Sequence, residues 1–133
     1  MNKSCNLPHG QLPGSLELAY LGDTVYDLYV RRRLVINGGR MKDLHLAAVA
    51  QVRASAQSEA LARVEEMLTE EEQAVVRRAR NVKQHPPKNA DPGHYHRATA
   101  FEALLGYLYL MNREERLAEI LAVANPDKEE AHA

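Results

Sequence analysis

The chain has 133 residues, enough for one domain with a sizeable core. Hydrophobic residues make up 45% and charged residues 26%, and the formal net charge of −1 excludes a bulk polycationic nucleic-acid binder while leaving room for a local basic patch. No run approaches the ~18 apolar residues of a membrane span, the N-terminus carries no apolar signal stretch, and the single cysteine, Cys5, excludes an internal disulfide, so a cytoplasmic protein with no membrane partner is expected.

Residues 1–14 read as a flexible N-terminal arm. Ser15 is the expected N-cap of a first helix over 15–35. Leu18, Leu21, Val25 and Leu28 fall at helical spacing on one apolar row that ends at Arg32. Gly22-Asp23 interrupts this helix. Glycine costs a helix interior about 1 kcal/mol relative to alanine. Aspartate competes there for backbone groups. A tight helix crossing with a solvated Asp23 explains the pair as well as a deliberately placed charge does.

Asn37-Gly38-Gly39 ends the first helix. A second helix over 42–53 carries Leu44, Leu46, Val49 and Val52. A third over 56–68, with Ser55 as a plausible restart, carries Leu61, Val64 and Leu68. Pattern alone does not separate two helices from one bent helix. Thr69 and Glu72 form a capping box that opens a fourth helix, running to about residue 82. Residues 83–94 read as an irregular stretch, since Pro86-Pro87 and Asp91-Pro92-Gly93 oppose helix. A loop of that length in a compact domain is more often functional than idle. Residues 95–111 are apolar nearly all round, which predicts a central helix, with Glu102 in its middle. A final amphipathic helix over 114–124 precedes a polar tail, 126–133. No segment alternates with a period of two. The expected class is all-α, a helical bundle formed by a single domain over 15–125.

Asp23 and Glu102 thus lie in the two most apolar helices. If those helices cross at Gly22, and at Gly106, the two acids face one another. Hard oxygen ligands of this kind suit Mg²⁺ or Mn²⁺, which accept one or two carboxylates and keep several waters. Taken singly, either acid is better explained by pairing with an arginine or capping a backbone group. Asp27, one turn beyond Asp23 and on its face, could support a metal ligand from behind, but is better read as the partner of Arg31, four residues on. Arg77, Arg78 and Arg80 suit a helix C-terminus through the dipole alone. The basic material continues into the loop as Lys83, His85 and Lys88, where no helix rewards it, and this reads as a phosphate-contacting arm. His85, His94 and His96 match no zinc spacing.

Two stretches carry a family resemblance. LAYLGDTVYDLYVR, residues 18–31, resembles the signature helix of the ribonuclease III catalytic (endonuclease) domain, roughly E-F-L-G-D-[AS]-V-L. TAFEALLGYLYL, residues 99–110, resembles that family's second acidic motif, roughly D-x-x-E-A-L-[IL]-G. The blocks RNVK, PPKN and TAFEALLGYL and the short length are closer to the Mini-III branch, which has no double-stranded RNA-binding domain. The resemblance implies an all-helical, homodimeric endoribonuclease with Mg²⁺ (or Mn²⁺) held by the catalytic acids Asp23 and Glu102. It departs from the larger family at Ala19 and Thr99, where that family has two further carboxylates, so a leaner site is implied. It places Tyr20 and Leu21 at the dimer contact. The implied partner is double-stranded RNA, gripped by Arg77, Arg78, Arg80, Lys83, His85 and Lys88. The implied substrate is the large-subunit (23S) ribosomal RNA precursor, with room for a ribosomal-protein helper. The alternative is a non-catalytic RNA- or ribosome-binding protein on the same fold, kept open by Ala19 and Thr99. A helical interaction module whose apolar helices serve only a dimer is a weaker one.

Overall fold

The computed structural model describes residue 7 and residues 10–127. Cys5 and most of the expected N-terminal arm and polar tail lie outside the described residues. Among the described residues six α-helices follow one another: α1 (Ser15–Asn37), α2 (Met41–Val52), α3 (Ala54–Val64), α4 (Glu70–Asn81), α5 (Pro92–Leu110) and α6 (Glu114–Ala124). A 3₁₀ turn, Glu65–Met67, continues α3. No strand occurs among the described residues, in line with the all-α expectation.

As its all-round apolarity predicts, α5 is the centre of the bundle and packs against α1, α3, α4 and α6. Its Phe101, Leu104, Leu105 and Leu108 are fully buried. Tyr26 of α1 meets Phe101 edge to face, with ring centroids 5.1 Å apart.

Local signals account for some of the helix ends. Gly38 follows α1 at φ 83°, a conformation that suits glycine, and its amide donates to the Leu34 carbonyl. The Thr69 capping box forms as expected: Thr69 Oγ1 accepts from the Glu72 amide at 3.2 Å, and Glu72 Oε1 accepts from the Thr69 amide at 2.9 Å. The remaining oxygen capacity of Glu72, 1% exposed, is taken by Arg116 of α6 at 2.8 Å. The Arg116 hydrogen bond holds the Glu72 carboxyl below its usual range.

Four details differ from the sequence expectations. Gly14, not Ser15, is the N-cap of α1, and the position makes no side-chain cap bond. The second and third helices are separate, broken at an extended Arg53 (φ −65°, ψ 157°), so Ser55 caps nothing. Asp91-Pro92-Gly93 starts α5 instead of opposing it. Asp91 accepts from the His94 amide at 3.0 Å, and Pro92 takes the first turn, where its missing N–H costs nothing. The buried face of α1 is Leu18, Ala19, Gly22, Tyr26 and Val30, while Leu28 is exposed. The close approach is local: α5 leaves no room for a Cβ at Gly22, while Leu18, Tyr26 and Val30 pack on the same face.

Candidate active site

The approach of α1 to α5 is set by two glycines. A Cβ at Gly22 would overlap the backbone carbonyl of Glu102 and stand 2.9 Å from the amide nitrogen of Gly106. A Cβ at Gly106 would overlap the carbonyl of Leu18 and stand 3.1 Å from the amide nitrogen of Gly22. The helices therefore cross backbone to backbone, each glycine accommodating the other helix. This crossing brings the residue after Gly22 to the residue four before Gly106. Asp23 and Glu102 meet side chain to side chain, within hydrogen-bonding reach.

The two acids are not equivalent. Asp23 is exposed and Glu102 half-buried. Burial first, then the hydrogen bond and charge of Asp23, push the Glu102 carboxyl up to about 8. Two carboxylates forced together in this way fit a hard divalent cation, which would neutralise both and take one oxygen ligand from each. Among the described residues no group of three or more histidine, cysteine or acidic side chains is arranged to hold a metal ion.

The neighbours of the pair explain why it is lean. Ala19, one turn before Asp23, is buried. Thr99, one turn before Glu102, is also buried, and both functions of its hydroxyl are used. It donates to the Tyr95 carbonyl at 3.0 Å and accepts from Gln84 Nε2 at 3.0 Å. Gln84 belongs to the loop between α4 and α5, so this bond ties the start of the basic loop to α5 one turn from Glu102.

A third polar side chain reaches the pair. Gln57 of α3 is buried, and its Nε2 donates to Glu102 Oε2 at 3.3 Å and to the Val52 carbonyl at 2.7 Å. The sequence reading missed it. A lone glutamine early in a helix has no local signature, and only the packing of α3 on α5 gives it a role.

The six basic candidates, Arg77, Arg78, Arg80, Lys83, His85 and Lys88, are all exposed. None takes part in an ion pair among the described residues. The arginines line more than one cleft. Arg77 and Arg80 share a cleft with Glu65, Gln73 and Asn81. Arg78 lines another beside Pro13, Gly14 and Leu18. Asp27 pairs with Arg31 at 3.1 Å, as its spacing suggests. Tyr20 is 84% exposed and Leu21 half-buried.

Residues 16–113 match the Ribonuclease III domain. The chain belongs to the ribonuclease III family. Within it, the chain is similar to the Mini-ribonuclease 3 of Symbiobacterium thermophilum, 52% identical over 111 residues that cover 82% of this chain and 85% of that one. The Mini-ribonuclease 3 of Brevibacillus brevis is 48% identical over 115 residues, 85% of this chain and 86% of its own. A crystal structure of a protein from Fusobacterium nucleatum superposes with a TM-score of 0.77 at 33% identity, covering 83% of this chain and 89% of that chain. Similarity at this level over most of both chains places the protein in the Mini-ribonuclease 3 branch. No helix among the described residues is long and apolar enough to cross a membrane.

Proposed function

We propose that the chain is a divalent-metal-dependent endoribonuclease that cleaves double-stranded RNA, with Asp23 and Glu102 as its metal-holding carboxylates. The supporting observation is the glycine crossing, which sets these two acids against each other in a member of the ribonuclease III family. When bound, Mg²⁺ (or Mn²⁺) supplies a Lewis acid and an activated water for phosphodiester hydrolysis. Asp23 offers its carboxylate from the exposed side. Glu102 gives up the proton that burial and Asp23 make it keep. Hydrolysis breaks the bond between phosphorus and O3′, leaving a 5′-phosphate and a 3′-hydroxyl.

Duplex RNA is recognised through shape, phosphates and 2′-hydroxyls, which exposed cations and a loop can grip without a separate RNA-binding domain. The Gln84–Thr99 bond, which ties the start of the loop to α5 one turn from Glu102, supports a part for the loop in this grip. Replacing Lys83 and Lys88 with alanine should weaken duplex binding and lower the slope of log affinity against log salt by about 1–2. An unchanged slope removes these two residues from the grip.

The working unit is a symmetric homodimer, with Tyr20 and Leu21 at its contact. The large exposed apolar residues of α1 and α2, among them Tyr20, Leu28, Val35, Met41 and Leu46, are surface that a second copy would cover. The natural substrate is the large-subunit ribosomal RNA precursor. Duplex RNA should be cut with Mg²⁺ and left intact once a chelator is added. Binding without cleavage in Mg²⁺ would favour the non-catalytic alternative.

A further inference from the structure

We propose that Gln57 is a positioning residue that fixes the Glu102 carboxylate so that it can receive the cation, an inference that rests on reading Asp23 and Glu102 as the metal site. Gln57 is 4% exposed and sits in the first turns of α3. Its amide is anchored by the 2.7 Å bond from Nε2 to the Val52 carbonyl, a group freed where α2 stops before Arg53. The second Nε2 hydrogen goes to Glu102 Oε2 at 3.3 Å. Turning the amide over would set Oε1 against the Val52 carbonyl, acceptor against acceptor. The orientation is therefore fixed by the break between α2 and α3, and Glu102 receives a donor from a rigid group.

One atom of Gln57 is left over. Its Oε1 is buried and has no hydrogen-bond partner among the described residues. An unsatisfied buried acceptor carries the cost of its lost hydration with no bond in return. A residue needed only to cap Val52 would have no reason to carry that cost next to two carboxylates. A hydrated divalent ion held by the neighbouring carboxylates would supply water donors of the kind that Oε1 lacks. Groups that hold a metal ligand in place by hydrogen bonding raise affinity without touching the ion.

The test is Mn²⁺ binding to the full chain, read from the electron paramagnetic resonance signal of the free ion, with cleavage measured alongside. Wild-type protein should bind Mn²⁺ in a manner lost in Asp23→Asn. Gln57→Leu should weaken that binding about tenfold or more. Its cleavage should fall at limiting Mn²⁺ and return toward the wild-type rate at saturating Mn²⁺. Gln57→Asn keeps a buried amide but is one methylene short of Glu102, and should behave the same way. A folded variant that binds Mn²⁺ like wild type, whatever its melting temperature, overturns the proposal and leaves Gln57 a cap for Val52. Failure of both variants to fold assigns Gln57 to the fold alone and overturns it equally. Wild-type protein showing no Asp23-dependent Mn²⁺ binding overturns the functional reading itself, and this inference with it.

Discussion

Asp23→Asn should abolish cleavage, by about 10³-fold or more, while leaving the helical bundle intact. A loss of that size corresponds to about 4 kcal/mol of transition-state stabilisation. It follows if one of only two protein carboxylates holds the ion and no neighbour can substitute. Among the described residues none is placed to do so: the positions one turn before the two acids are the buried Ala19 and the fully bonded Thr99, and Asp27, one turn after Asp23, is paired with Arg31. The fold should survive because Asp23 is exposed and the core does not use it.

The same variant makes a second, opposite prediction about stability. The Glu102 carboxyl is raised from 4.5 to about 8 in the folded protein, with Asp23 a cause after burial. Between those values the folded state holds a proton that the unfolded chain has released. Folding stability therefore falls as pH rises through this window. Asparagine removes the charge and can donate to Glu102, so the fall should become shallower. In chelator, Asp23→Asn should melt no lower than wild type at pH 8, with the gap closing toward pH 4.5. Circular dichroism melts across that range, paired with a duplex-cleavage assay, check both halves. Full activity would sink the site assignment. A markedly lower melting temperature at pH 8 would sink the electrostatic account.

What was legible in the sequence was what is encoded locally or by contradiction. Gly22-Asp23 and Glu102 stood out because each conflicts with the apolar helix around it, and the structure brings these residues together. The Thr69–Glu72 box was readable because both partners lie within one turn. The central place of α5 followed from its composition. Partners distant in sequence were not readable. Gln57 reaches Glu102 across 45 positions, and Arg116 reaches Glu72 across 44. Neither residue is unusual in its own segment. The face of α1 was misjudged for a related reason. Its large apolar residues occupy more than one side, and the choice of buried side belongs to α5, whose Gly106 meets α1 at Gly22, where no Cβ fits. Asp91-Pro92 was misread because proline both ends and begins helices, and only the cap geometry decides.

Gly22→Ala should destabilise the protein by about 3 kcal/mol or more. Two effects oppose each other here, and their sizes decide the sign. In a solvent-facing helix, alanine would gain about 1 kcal/mol over glycine from propensity. At Gly22 the added Cβ would overlap the backbone carbonyl of Glu102. A backbone carbonyl cannot turn away as a side-chain tip can. Relief requires α1 and α5 to separate, and α5 is packed against three other helices besides α1. Overpacking of ordinary side-chain contacts costs about 1–3 kcal/mol, so backbone overlap should lie at or above the top of that range. The separation also moves Asp23 from Glu102. A displacement of about 1 Å at reacting groups costs on the order of 10²-fold in rate. Urea denaturation and cleavage should therefore both report the change, with activity reduced about 10²-fold even where the variant is folded. Gly106→Ala, which meets the Leu18 carbonyl in the reciprocal contact, should do the same. A gain of stability in either variant would mean that propensity wins, that the helices do not touch, and that some other contact holds the acids together.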